Sequence, residues 1–125
     1  MTLDPQKWTI KTREAFQAAE TQASAAGNPY VTPAHLILAA LNQADGVARP
    51  LLQAASLDPT AIAGSMSEMV AKEPRAVGGS QAGLSREARE GLEEADQLRA
   101  TLGDEFLSVD HIVIAWSDVI GTTKE

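Results

Sequence analysis

The feature that most constrains this chain is that its sequence repeats itself. At an offset of 76 residues, the distance from Gly27 to Gly103, Thr9 falls on Ser85, Glu14 on Glu90, Phe16 on Leu92 and Ala19 on Ala95. Gly27 falls on Gly103, Tyr30 on Phe106, Thr32 on Ser108 and His35 on His111, and Leu36-Ile37-Leu38-Ala39 falls on Ile112-Val113-Ile114-Ala115. Caps, stops, an aromatic and an apolar helix recur in one order, the signature of a duplicated supersecondary unit. Such units bury their apolar faces against each other, so two stacked halves related by pseudo-symmetry are expected.

Alanine is the commonest residue and only 4% of the chain is aromatic, which favours helix over strand. Residues 10–26 read as an amphipathic helix with Ile10, Ala15, Phe16, Ala19 and Ala23 on one face. Thr9 caps it and Gly27-Asn28-Pro29 stops it. Thr32 as N-cap with Pro33 at the first helical position opens a second helix. This helix is apolar enough through Leu41 to be buried on most sides. A short third helix spans 47–55, with Pro50 in its first turns. Asp58-Pro59 opens a fourth helix carrying Ile62, Met66, Met69 and Val70, both methionines being read as core.

Residues 73–83, with Pro74, Gly78, Gly79 and Gly83, read as a flexible internal linker. Ser85 then caps a fifth helix to Leu102, with Ala88, Leu92, Ala95, Leu98 and Leu102 inward. Gly103-Asp104 stops it, and Ser108 caps a sixth, apolar helix, 112–116. The expected fold is all-α, with repeat one at 1–72, the linker at 73–84, a partial repeat two at 85–118 and a tail at 119–125. Four helices in the first unit against two in the second make the second repeat incomplete. Either the chain is a fragment or its core closes in another way.

Chemistry is scarce. The absence of cysteine removes disulfides, thiol nucleophiles and thiolate metal sites. A net charge of -7 argues against a binder of nucleic-acid phosphates. The N-terminus lacks the apolar run of a signal peptide and no stretch is long enough for a membrane span, so a cytoplasmic chain with no membrane partner is expected. Each histidine sits three residues after a cap, where its ring can hydrogen-bond the backbone and fix the start of a helix. Neither has a second histidine or a carboxylate at helix spacing, so no metal is expected. Gly78–Gly83 has the glycine spacing of a phosphate loop but continues Leu84-Ser85, without the lysine that grips phosphate. No G-x-S-x-G elbow is present. No cofactor and no catalytic residue are expected, and Trp8 is read as packing against the end of the first helix.

The residues that carry the repeat resemble a known family, the N-terminal repeat domain of Clp-type AAA+ unfoldases. The matching pieces are Trp8-Thr9-x-x-Thr12-x-x-Ala15-Phe16 and the run from Thr32-Pro33-Ala34-His35 to Leu41. Asp45-Gly46-Val47-Ala48-Arg49-Pro50-Leu51-Leu52 and Gly103-Asp104-Glu105-Phe106-Leu107-Ser108-Val109-Asp110-His111 complete them. Together they cover the chain to about residue 118, and the linker preceded by Glu73-Pro74 looks most like the ClpB-type disaggregase branch.

That resemblance implies a substrate-receiving module at the mouth of a hexameric AAA+ ring, contacting unfolded or aggregated polypeptide. It implies roles for Thr9 at the start of the first helix and for Asp104 and Asp110 around the second repeat's turn. It also implies an apolar groove beside that turn, drawing on Leu98 and Phe106. The chain departs from the family at Glu94 and His111, which stand where groove positions are often leucine, and in having neither the two closing helices nor an AAA+ motor. On the residues alone, Thr9 is first of all a cap, a role that can coexist with the other, while Asp104 is equally a turn residue and Asp110 equally a favourable first-turn charge. A regulatory adaptor that docks on a Clp ring or on an adaptor protein is the alternative from a different class. A receptor for phosphoarginine signals would need acids at both helix starts, and repeat one has Ala34 where repeat two has Asp110.

Overall fold

The computed structural model describes residues 5–43, 45–75 and 82–117; the glycine-rich stretch 76–81, which holds most of the loop weighed for phosphate, and the tail lie outside them. A 3-10 turn at Pro5–Lys7 leads into α1 (Ile10–Ala25), a two-residue strand β1 (Tyr30–Val31) and α2 (Pro33–Leu41). α3 (Ala48–Ala54) and α4 (Pro59–Ala71) follow, then a second two-residue strand β2 (Gly83–Leu84), α5 (Arg86–Leu102) and α6 (Val109–Ala115). The fold is all-α, as expected, with one short parallel strand pair that the sequence did not announce.

Local chemistry sets the helix ends. The Thr9 hydroxyl accepts from the Thr12 N–H at 3.2 Å, and the Ser85 hydroxyl from the Ala88 N–H at 3.0 Å. Gly27 and Gly103 both take φ 77, the left-handed turn that costs a residue with Cβ about 1 kcal/mol. The Gly27 N–H donates to the Ser24 carbonyl and the Asn28 N–H to that of Ala23, at 3.1 and 2.9 Å. In the second repeat Gly103 donates to Ala100 and Asp104 to Arg99, at 3.1 and 3.0 Å. Both repeats therefore end their first helix in a Schellman motif and send the chain off at the same angle.

α2 packs between α1 and α4, α5 packs on α6, and α2–α5 and α3–α6 contacts join the halves. All of Ala34–Leu41 is buried, so the apolar second helix is central as expected. Leu41, Met66, Leu92 and Leu107 are fully buried, each stabilising the core by about 2 kcal/mol. Trp8 is buried and tilts against Phe16, ring centroids 5.2 Å apart, which bears out the packing reading of that tryptophan.

The halves are also laced together by backbone. The Thr9 N–H donates to the Leu107 carbonyl at 2.9 Å, and its repeat counterpart, the Ser85 N–H, donates to the Val31 carbonyl at 2.9 Å. Each first-helix start is thus bonded to the extended residues ahead of the other repeat's second helix, through the β1–β2 pair on one side and a Trp8–Leu107 bridge on the other.

Several face assignments need correcting. Ile10 and Leu102 are exposed, because they occupy the first position of α1 and the last of α5, where a helix overhangs its core. Met69 is exposed as well, since Ile62, Met66 and Val70 form the inner stripe and Met69 falls beside it. α3 is one residue shorter at each end than the 47–55 read from the sequence. Ile114 of the apolar sixth helix is half-exposed, although its counterpart Leu38 is buried.

Candidate functional site

Each repeat presents a turn between its Schellman motif and its second helix, and a histidine organises both. In repeat one the Thr32 N–H donates to His35 Nδ1 at 3.0 Å; in repeat two the Ser108 N–H donates to His111 Nδ1 at 2.9 Å. A backbone N–H can only donate, so both Nδ1 atoms carry a lone pair and both rings are Nε2–H tautomers. The expectation that these histidines fix the helix starts is met at both sites. His35 is completely buried, and burial holds its pKa below the usual 6.5 against an opposing pull from Glu73.

The far nitrogens differ. His35 Nε2–H donates to Asn28 Oδ1 at 3.1 Å, and the buried Asn28 in turn donates from Nδ2 to the Pro74 carbonyl at 3.1 Å. His111 Nε2–H donates to Asp104 Oδ2 at 2.8 Å, and that carboxylate side chain is 52% exposed. His111 itself is buried inside the turn. Glu94 is exposed on α5.

Four of the five residues singled out from the sequence come together on repeat two's turn. Thr9 is bonded to Leu107 through its N–H, and Thr12 Oγ1 donates to the same carbonyl at 3.0 Å. That places the start of α1 against the segment that carries Asp104, Phe106 and Asp110. Asp110, in the first turn of α6, accepts from the Ser108 hydroxyl, and Phe106 is 46% exposed. The acids therefore also have the local roles that the sequence allowed. Leu98, the fifth residue, is half-buried on α5, one turn before the helix ends.

Sequence reasoning missed two parts of this edge. Exposed Ile10 adds apolar surface beside Thr9. Arg99 pins the turn by donating from Nη1 to the Asp104 carbonyl at 2.8 Å while its Nε meets Asp96 at 2.7 Å. The offset itself, Asn28 on Asp104, was the signal that could have revealed the histidine–carboxylate pair. Elsewhere, an apolar cleft of about 200 Å³ lies between α3 and α6, lined by Leu51, Leu52, Ala55, Leu57, Val113 and Ile114. Among the described residues, no three histidine or carboxylate side chains gather to hold a metal, and no helix is long and apolar enough to cross a membrane.

A two-repeat all-α domain with histidine-braced turns and cross-repeat backbone pairing defines a Clp-type repeat domain. The Clp repeat (R) N-terminal domain family matches residues 7–122, and the chain belongs to it. That domain is not a catalytic ATPase module. The chain is 45% identical over 104 residues to the chaperone protein ClpB of Corynebacterium glutamicum, covering 82% of this chain and 12% of that protein. It is 41% identical over 107 residues to ClpB of Mycobacterium tuberculosis, covering 85% and 13%. It therefore spans roughly an eighth of the length of these curated relatives. The N-terminal domain of Candida albicans Hsp104 superposes with a TM-score of 0.77 at 18% identity, covering 94% of this chain and 79% of that one. A ClpV N-domain solved in complex with a VipB peptide does so at 0.74 and 21%, covering 93% and 76%. At these identities the structural likeness establishes the fold.

Proposed function

We propose that this chain is the substrate-receiving N-terminal module of a ClpB-like ATP-dependent disaggregase, binding unfolded or aggregated polypeptide and hydrolysing no ATP itself. The supporting observation is the Thr9–Leu107 bond, which brings the start of α1, with exposed Ile10, to the segment that carries exposed Phe106 and the acids Asp104, Glu105 and Asp110. An extended segment would set apolar side chains on Phe106 and Ile10 and present amide or basic groups to the acids. Few polar anchors and limited apolar area make such binding weak and tolerant of sequence, as a module that meets many clients requires. In this reading the parent chain supplies the AAA+ ring, a cytoplasmic hexamer, and the module hands it captured segments.

The second reading, docking on a dedicated protein partner, draws support from the ClpV N-domain solved with a VipB peptide. An NMR titration of the labelled domain with a permanently unfolded polypeptide separates the two. Shifts centred on Thr9, Leu98, Asp104, Phe106 and Asp110, reduced when both aspartates become alanine, are expected. Absence of shifts at millimolar client would leave the dedicated-partner reading.

A further inference from the structure

We infer that His111 is a positioning residue: its Nε2–H holds the Asp104 carboxylate as an oriented acceptor for a cationic side chain of the bound segment, an acceptor that repeat one lacks. The inference rests on the reading of repeat two's turn as the receiving edge and says which side-chain chemistry that edge selects.

The geometry leaves the imidazole little choice. The Ser108 N–H occupies Nδ1 at 2.9 Å, so the ring proton is on Nε2 and points at Asp104 Oδ2, 2.8 Å away. The backbone of Asp104 is held on both sides, its N–H by the Arg99 carbonyl at 3.0 Å and its carbonyl by Arg99 Nη1 at 2.8 Å. With Oδ2 engaged by His111, the half-exposed carboxylate has Oδ1 for an incoming donor. Arg99, the cation bonded to this turn, is paired with Asp96 and does not take that place. An anionic acceptor held in advance binds a cation without the entropy cost of ordering it at the moment of contact.

Repeat one supplies the control. Its histidine makes the same backbone bond, but its far nitrogen meets Asn28, which is neutral, buried and spent on Pro74. The same scaffold is closed in one repeat and open and charged in the other. The exchange of asparagine at 28 for aspartate at 104 supplies the charge, and the Pro74 carbonyl that covers Asn28 has no counterpart among the contacts of Asp104.

The test uses a synthetic Leu/Lys 12-residue peptide and its lysine-acetylated counterpart as probes, with His111→Gln and His35→Gln as variants. Glutamine at this third helical position still accepts the cap N–H, as in a capping box, so the helix start survives while the rigid link to Asp104 is lost. H111Q is expected to weaken the lysine peptide roughly threefold to tenfold, the scale of a half-exposed hydrogen bond to a charged group. It should leave the acetylated peptide unchanged, and H35Q should leave both unchanged. If Asp104→Asn weakens binding but H111Q does not, His111 has no positioning role while the receiving edge stands. If Asp104→Asn also has no effect, the receiving edge fails with it. Independently of folding of the variants, imidazole ¹⁵N shifts of the unaltered protein should show Nε2 protonated and perturbed by the lysine peptide; a ring protonated on Nδ1 would overturn the inference.

Discussion

The two repeats share a backbone plan and differ at four aligned pairs that matter to the turn and the core. Asn28 and Asp104 occupy the same Schellman position, yet one is buried and neutral and the other half-exposed and charged. Ala34 and Asp110 occupy the same first-turn position, and Ala15 and Ala40 stand where repeat two has Gly91 and Trp116. Backbone bonds that define the fold are common to both, whereas the side chains at the turn are free to differ. On the shared backbone, Asp104 gives one turn a half-exposed charge where the other has a buried amide.

The largest expected effect breaks the small-for-large exchange in the core. A Cβ at Gly91 would lie 2.1 Å from Trp116 Nε1, far inside contact distance. Gly91→Ala should therefore cost about 3 kcal/mol in urea unfolding, whereas the alanine at the matching position 15 is already native. Adding Trp116→Leu should recover part of that loss, and a double variant no better than G91A would show that the clash is not the cause.

The histidines come next. His35→Ala strands the buried Asn28 Oδ1 and the Thr32 N–H, and should cost about 3 kcal/mol. His111→Ala should cost about half as much, because water can reach Asp104. Equal losses would mean that the difference in burial between the two turns carries no energy. His35 also makes stability pH-dependent. Its folded pKa is depressed, so the unfolded chain binds more protons below about 6.5, and stability should decline as pH falls from there through the folded value. His35→Gln should flatten this part of the urea-midpoint profile between pH 7.5 and 5.

The smallest effect concerns α3, whose C-terminal turn has no described counterpart in repeat two. Ser56 holds φ 63, with its N–H donating to Gln53 and that of Leu57 to Leu52, at 3.0 and 2.9 Å. Ser56→Gly should relieve about 0.5 kcal/mol of left-handed strain, visible as a small rise in the thermal midpoint.

Much of this was readable because it is local. Thr9, Thr32, Ser85, Gly27 and Gly103 act within one turn of themselves, and the histidine three residues after each cap has one short route to the backbone. The cross-repeat bonds of Thr9 to Leu107 and Ser85 to Val31 use main-chain atoms, which leave no mark on side-chain pattern. Two-residue strands are likewise too short to show alternation. Ile10, Leu102 and Met69 were misplaced because periodicity defines a stripe but not where the core beneath it ends. Gly91 carried no signal, since only its approach to Trp116 explains it. At the site, the offset aligned the turns but could not tell which was buried.

The most direct test of repeat two's turn as the receiving edge is photo-cross-linking. p-Benzoylphenylalanine placed at position 106, and separately at its counterpart 30, samples two exposed aromatic positions on equivalent turns, 46% and 57% accessible. With a labelled, permanently unfolded polypeptide, cross-linking from 106 should exceed that from 30 several-fold and fall when Asp104 and Asp110 are replaced by alanine. Equal capture from both positions, or capture from 106 that ignores the two acids, would contradict it.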